Sequence, residues 1–148
     1  MNHFAVTNRS DCMIEAMIAL ARCSKLQRII VAGSNNAELM FELERRGYVH
    51  AAATANRGRS TKQYDVALVD WRRRTLRALE MTLDWLVDFL SPGAVLVVWT
   101  DPQKTAAREN LFSILEERGF VIEDGAVQDD GYAVSARQHQ VKPIHRAA

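Results

Sequence analysis

The hydrophobic and polar positions of this chain alternate between helical patterns and short apolar runs from about residue 10 onward. Apolar residues at helical spacing predict a first helix from Ser10 to Leu26, with Ser10 as its N-cap. Residues 29–33, Ile-Ile-Val-Ala-Gly, predict a short buried strand, and the turn-forming residues 34–36 follow it. The pattern therefore opens with a helix, a strand and a polar turn.

The same alternation continues through the middle of the chain. A second helix around residues 39–43 is predicted to end at Gly47, where a C-cap glycine belongs. Residues 48–54 predict only a weak strand because they are rich in alanine, whereas residues 64–70 predict a strong buried strand that closes with Asp70. The clearest helix then carries leucines on one face at positions 76, 79, 83, 86 and 90.

A fourth strand and a fourth helix follow the leucine helix. We expect Ser-Pro-Gly at residues 91–93 to break that helix, and residues 94–100 predict a β-branched core strand. Asp101 and Pro102 form an N-cap and first-turn pair for a helix that Gly119 ends. Strands and helices thus alternate along most of the chain.

The last part of the pattern predicts a hairpin. Residues 120–123 and 132–137 are two apolar runs, and an acidic turn at residues 129–131 joins them. Regular alternation followed by a hairpin predicts an α/β fold with three layers, α/β/α, and a mostly parallel sheet that ends in a C-terminal antiparallel hairpin. We expect one domain over residues 1–148, with an ordered core over about residues 10–137 and flexible tails.

Composition narrows the class of protein. A chain of 148 residues with 48% apolar and 25% charged side chains fits a single globular domain. The sequence has no long apolar run and no leader pattern, so we expect a cytoplasmic protein without a membrane partner. A net charge of +1 argues against a chain that coats nucleic acid. Cys12 and Cys23 make neither a disulfide framework nor a zinc motif, so we expect no metal site.

The order of elements resembles the class I S-adenosylmethionine-dependent methyltransferase fold over about residues 10–137. A strand that runs into a turn, a strand ending in Asp70, the run Ser91-Pro92-Gly93-Ala94 before a valine-rich strand, and the closing hairpin carry this resemblance. Residues 55–64 are too few for the helix and third strand usual in that family. The resemblance therefore implies a methyltransferase-like sheet with a trimmed third-strand edge, and S-adenosylmethionine as the cofactor.

The resemblance also implies a set of cofactor-binding residues. In the family, a glycine-rich loop after the first strand approaches the methionyl part of the cofactor, and an acid after the second strand holds the ribose. Here the matching loop has one glycine and no acid, and the second strand leads to an asparagine. The residues at these places are Gly33, Ser34, Asn35, Asn36 and Asn56, and Asp70 at the end of the strand over residues 64–70 completes the candidate cofactor site.

A basic segment points to a second kind of site. Residues 56–77 carry seven basic and two acidic side chains, a local balance of +5. The basic residues are Arg57, Arg59, Lys62, Arg72, Arg73, Arg74 and Arg77. Because loops after parallel strands meet at one sheet edge, they predict an anion-binding crevice for a small anionic ligand or nucleic acid. The alternative is that the arginines at the helix start are solvated or paired with Glu80, Asp84 and Asp88.

Several functions stay open at this point. The chain fits a degenerate, non-catalytic binding or regulatory module, or an active methyltransferase with a shortened cofactor site. The strand that ends in Asp70 also resembles that of a response-regulator receiver domain, which implies a protein-interaction module. Asp70 is either an acid that orients a ligand or a structural partner for a neighbouring arginine. The methionine-rich first helix packs on the sheet or forms a homodimer.

Overall fold

The computed structural model describes residues 9–33, 36–53, 63–72, 75–100, 105–128 and 131–138. The elements along the chain are α1 (Arg9–Ala21), β1 (Ile29–Gly33), α2 (Asn36–Arg45), β2 (Ala51–Ala53), β3 (Tyr64–Trp71), α3 (Leu76–Leu86), a 3₁₀ turn (Val87–Phe89), β4 (Leu90–Thr100), α4 (Thr105–Glu117), β5 (Phe120–Gln128) and β6 (Gly131–Gln138). Helices and strands alternate until the closing hairpin, as the sequence predicts, except that β3 follows β2 with no helix among the described residues between them.

The strands form one mixed sheet of six strands in the order β2-β1-β3-β4-β6-β5. The pairs β1–β2, β1–β3 and β3–β4 are parallel, whereas β6 pairs antiparallel with both β4 and β5. The short strand β2 is the edge strand of the sheet among the described residues, next to β1. The predicted sheet with a trimmed edge and an antiparallel hairpin is therefore confirmed.

Two apolar clusters, one on each face of the sheet, hold the layers together. On one face, α1 and α2 bury Met13, Met17 and Leu43 against the odd-numbered residues of β1. On the other face, α3 and α4 bury leucines such as Leu83 and Leu115 against the remaining strand positions. Because successive strand residues point to opposite faces, nearly continuous apolar strands fill both clusters. The methionine-rich face of α1 thus packs on the sheet.

Both ends of the first helix differ from the prediction. The helix α1 begins at Arg9, which places Ser10 inside the helix rather than at the N-cap. It ends at Ala21 rather than at Leu26, because Arg22 adopts a left-handed backbone with φ 54°. Helices commonly stop at a residue in this conformation. The polar residues that follow form the connection to β1.

The break after the leucine helix also lies elsewhere. The helix α3 ends at Leu86, and residues 90–93 belong to β4 instead of preceding it. The strand accommodates them through a bulge, because Tyr64 pairs with Leu90 whereas Val66 pairs with Val95. The Ser91 hydroxyl donates to the Tyr64 carbonyl at 3.2 Å and to the Asp65 carboxylate at 2.9 Å. These bonds replace the regular ladder at the bulge.

The hairpin strands are longer than predicted, and the second strand is shorter. Residues 120–128 and 131–138 pair through the whole hairpin, so Gly131 lies in β6 rather than in the turn. Within the predicted strand over residues 48–54, β2 begins only at Ala51, and Ala51–Ala53 pair with β1, whereas residue 54 lies outside the described residues. The predicted turn at residues 129–130, the helix start at Asp101 and Pro102, and both tails lie outside the described residues.

Candidate functional site

The strands β1 and β3 form the switch point of the sheet. They are neighbours, and the helices that follow them pack on opposite faces, α2 through Leu39 and Leu43 and α3 through Leu79 and Leu83. Open α/β sheets bind ligands in the crevice at the carboxyl ends of such strands. Gly33 and Asp70 are paired there, at the end of each strand. They mark the candidate crevice.

Glycine is required at the end of β1. Gly33 has φ 107°, a conformation that side chains with a Cβ rarely adopt. A Cβ at this position would also lie 2.8 Å from both the backbone carbon and the backbone nitrogen of Asp70, and closer still to its carbonyl oxygen. The turn after β1 therefore starts in direct contact with the backbone of β3.

The Asp70 carboxylate is fully buried and held by an arginine. Arg72 donates from Nε to Oδ1 at 2.7 Å and from Nη2 to Oδ2 at 2.6 Å. Such a two-bond contact is the strongest form of arginine–carboxylate pair. The structural alternative for Asp70, pairing with a neighbouring arginine, is thus what the structure contains. The alternative that arginines at the helix start pair with Glu80, Asp84 or Asp88 is not what Arg72 shows, because Arg72 binds Asp70. Asp84 instead binds Arg118 at 3.0 Å.

Two further bonds fix the start of α3 beside the crevice. The Trp71 indole N–H donates to the Thr75 carbonyl at 2.9 Å. The Thr75 hydroxyl accepts from the Ala78 backbone N–H at 3.1 Å and so caps the helix. The connection between β3 and α3 is therefore anchored at both of its ends.

The structure brings together part of the predicted site. Gly33, Asp70 and Arg72 are in contact, and Asn36 begins α2 close along the chain from Gly33. Arg77 lies exposed in the first turn of α3. The other predicted site residues, Ser34, Asn35, Asn56, Arg57, Arg59, Lys62, Arg73 and Arg74, lie outside the described residues. The anion-binding crevice stays a prediction.

The described residues fit a nucleoside cofactor through their backbone. The positive φ of Gly33 opens the turn that leads into α2, and the first backbone N–H groups of α2 follow within a few residues. The Asp70 side chain is already bound by Arg72, and β2 ends at Ala53 without an acid in its described residues. A ribose would therefore need polar groups from the segment after β2.

Sequence reasoning missed two clefts that lie away from Gly33 and Asp70. One, of about 440 Å³, is lined by residues that include Lys25, Arg46 and Tyr48 beside α1. The other, of about 400 Å³, lies between the end of α1 and the hairpin and includes Arg22 and Asp124. Their residues are far apart in the chain, and no local motif marks them.

Cys23 and Tyr48 lie close enough to affect each other. Burial raises the pKa of the Cys23 thiol above its ordinary value, and a backbone hydrogen bond opposes that shift. Burial also raises the pKa of Tyr48, the negative charge of a Cys23 thiolate adds to this, and Arg46 acts against it. Both groups therefore stay protonated at neutral pH.

No protein-family model matches the sequence, and a search of curated proteins found no match. Solved structures do match. The 1,6-didemethyltoxoflavin-N1-methyltransferase of Burkholderia thailandensis, solved with S-adenosylhomocysteine, has a TM-score of 0.66 at 12% identity over 88% of this chain and 78% of its own. The [4+2]-cyclase SpnF has a TM-score of 0.65 at 12% identity, over 87% of this chain and 81% of its own. The tRNA (m1A58) methyltransferase TrmI of Aquifex aeolicus has a TM-score of 0.61 at 11% identity, over 95% of this chain and 73% of its own.

These similarities show the fold. The chain has the class I S-adenosylmethionine-dependent methyltransferase fold, as the resemblance of its elements implied. A receiver domain closes with a helix where this chain has the β5–β6 hairpin, so the fold disagrees with the receiver-like alternative. None of the helices in the described part of the chain is long and apolar enough to cross a membrane.

Proposed function

We propose that the chain binds S-adenosylmethionine in the crevice between β1 and β3 and acts as a methyltransferase with a shortened cofactor site. One observation carries this proposal. Gly33 and Asp70 are in backbone contact at the switch point of the sheet, with α2 and α3 on opposite faces. The structural neighbour solved with S-adenosylhomocysteine supports it.

Each described residue has a definite role in this proposal. Gly33 lets the backbone turn closely past β3, and Asn36 starts the helix whose N-terminal N–H groups face an anionic or polar ligand group. Arg72 holds the Asp70 carboxylate and so fixes the end of β3. The cofactor supplies an electrophilic methyl group on sulfur when it is bound. The chain contributes binding and orientation of the methyl acceptor.

A non-catalytic binding module is the second candidate. The observation that favours it is the pairing of Asp70 with Arg72, because both carboxylate oxygens already accept hydrogen bonds. A carboxylate held in this way is a poor general base. In this case the crevice binds a cofactor or another anionic ligand, and the chain acts through binding alone.

Calorimetric titration with S-adenosylmethionine and S-adenosylhomocysteine tests the cofactor site. We expect binding in the micromolar range, weakened about tenfold by Asn36→Ala, which removes a polar group at the start of α2. Asn110→Ala is the matched control, because Asn110 is exposed on α4 and should leave binding unchanged. Absence of heat and of a thermal shift at millimolar ligand would rule out the methyltransferase and leave a module that binds another anionic ligand.

Methyl transfer separates the two candidates. The protein is incubated with S-adenosylmethionine that carries a labelled methyl group and with phenols, amines, carboxylic acids or RNA as acceptors. Release of S-adenosylhomocysteine with label in one acceptor class supports the methyltransferase. Cofactor binding without label transfer to any class supports the binding module.

A further inference from the structure

The cleft between α1 and the hairpin has the size of a small-molecule site and a mostly polar, charged lining. Its volume is about 400 Å³, which falls within the usual range for ligand pockets. The last turn of α1 forms one wall, and the polar side chains of Arg22, Glu123, Asp124, Ser135 and Arg137 form the rest. We name it the hairpin cleft. It shares no residue with the crevice at Gly33 and Asp70.

A bulge in β5 places two acidic residues on this cleft. Successive residues of a regular strand point to opposite faces, so Glu123 and Asp124 would ordinarily separate. The register shifts between Ile122 and Asp124, and both acids therefore line the cleft. Asp124 is paired with Ser135, which also pairs with Val97 of β4 and forms the buried floor at 2% exposure.

One pair of opposite charges in the cleft, Arg137 and Glu123, forms an ion pair within the protein. Arg137 donates from Nε to Glu123 at 3.0 Å and from Nη1 to the Gly93 carbonyl at 3.0 Å. Arg137 is thereby fixed at one side of the cleft. Its remaining nitrogen, Nη2, takes part in neither bond.

The other two charged residues of the cleft, Arg22 and Asp124, form no ion pair among the described residues. Arg22 and Asp124 both line the cleft, yet in the described part of the chain no ion pair joins them to each other or to another side chain. The Asp124 carboxylate accepts one bond, from the Gly125 backbone N–H at 2.8 Å. The Ser135 hydroxyl makes no hydrogen bond to the described residues either. Within the described residues, the Arg22 guanidinium, the second carboxylate oxygen of Asp124 and the Ser135 hydroxyl therefore remain available to a ligand in this cleft.

We propose that the hairpin cleft binds a small zwitterion of the α-amino acid type. Its carboxylate would lie toward Arg22 and its ammonium toward Asp124, with the Ser135 hydroxyl available to either group. The two arginines and two acids that line the cleft cancel in charge, so a simple anion or cation meets repulsion from one pair. A ligand with both charges satisfies both sides. This proposal does not depend on the function proposed for the crevice.

Amino acids and their blocked derivatives test the ligand chemistry. The standard amino acids, each at millimolar concentration, are screened by thermal shift, and the strongest is titrated by calorimetry. We expect the N-acetyl derivative, without the ammonium, and the amide derivative, without the carboxylate, to bind at least about tenfold more weakly. Failure of every standard amino acid to bind, or equal binding of the blocked forms, would overturn the proposal.

Single substitutions test whether Arg22 binds the carboxylate of the ligand and Asp124 binds its ammonium group. Arg22→Gln and Asp124→Asn should each weaken amino acid binding about tenfold, and asparagine can keep the acceptor for Gly125. Arg22→Gln should leave binding of the amide derivative unchanged, and Asp124→Asn should leave binding of the N-acetyl derivative unchanged. Lys25→Gln and Asp88→Asn, exposed residues outside the cleft, are the matched controls. Equal losses in variants and controls would contradict the assignment.

S-adenosylmethionine also carries an α-amino acid group, so the two sites must be separated. Amino acid binding should be lost in Arg22→Gln and kept in Asn36→Ala, whereas the opposite is expected for S-adenosylmethionine. Loss of amino acid binding in Asn36→Ala would overturn the hairpin cleft as the site. Loss of S-adenosylmethionine binding in Arg22→Gln alone would contradict the crevice instead.

Discussion

The crevice between β1 and β3 and the hairpin cleft differ in the groups that line them. The crevice consists of backbone contact at Gly33 and of the fully buried Asp70 carboxylate, which the partly buried Arg72 binds. The hairpin cleft consists largely of exposed charged side chains above a strand floor, with Arg22 and Asp124 as its open charges. Substitutions in the crevice are therefore expected to lower the stability of the fold itself. In the cleft, by contrast, Arg22 and Asp124 form no ion pair with the described residues and are available to a ligand.

The largest effect should follow substitution of Gly33. Gly33→Ala combines a strained positive φ with overlap against Asp70, and we expect it to lower the free energy of unfolding by about 4 kcal/mol. Gly93→Ala is the matched control, because Gly93 also has positive φ and a Cβ there would meet nothing within 4 Å. It should cost about 1 kcal/mol. Urea unfolding measures both, and equal costs would contradict close contact at the crevice.

The second effect concerns the buried ion pair. Arg72→Gln removes a cation that binds the fully buried Asp70 carboxylate, and we expect a loss of about 3 kcal/mol in the free energy of unfolding. Arg118→Gln is the comparison, because its partner Asp84 is 64% exposed and such pairs contribute less than about 1 kcal/mol. The double variant Asp70→Asn, Arg72→Gln should regain part of the loss. Similar costs for the two arginines would argue against a buried pair.

A smaller change in the free energy of unfolding should appear at alkaline pH and should come from Cys23, near the cleft that Lys25 and Tyr48 line. Burial raises the pKa of Cys23 above 9.0, its ordinary value, so the folded state holds the thiol proton more tightly than the unfolded state does. The stabilisation is complete below pH 9.0 and is lost as pH rises through the raised folded value. Urea unfolding of Cys23→Ala should show a weaker fall in stability above this pH. An identical pH profile would contradict burial of the thiol.

The smallest effect should come from the hairpin cleft itself. Arg22→Gln and Asp124→Asn replace exposed charges that form no ion pair in the described part of the chain. We expect each to change the free energy of unfolding by less than about 0.5 kcal/mol in the absence of ligand. Chemical unfolding of both variants checks this. A loss above about 1 kcal/mol would show that these side chains support the fold, and the contrast between the two regions would disappear.

Local signals account for what the sequence predicted correctly. Apolar runs predicted β1, β3 and the core of β4, because strands buried on both faces have no polar positions. The glycine at the end of β1 and the acid near the end of β3 are also local signals, and they were enough to predict a crevice at this sheet edge. The alternation of these elements was enough to predict the fold class.

Tertiary contacts account for what the sequence did not predict. Ser91 looked like part of a helix break, yet its bonds to Tyr64 and Asp65 draw it into β4. The hairpin cleft escaped notice because Arg22 and Asp124 come from opposite ends of the chain, and the bulge in β5 has no signature in a single sequence. Pairing of Asp70 with Arg72, by contrast, was an open alternative that the geometry decided.

The strand order has a consequence for the sequence of events in folding. Only two residues of the chain separate β5 from β6, whereas the whole of α2 and β2 lies between β1 and β3. Local pairing closes quickly, and parallel pairing across a long connection waits for loop closure. We therefore expect the hairpin amides to gain protection from hydrogen exchange early in refolding and those of β1 to gain it last. On this order of events, the crevice between β1 and β3 forms only at the end of folding.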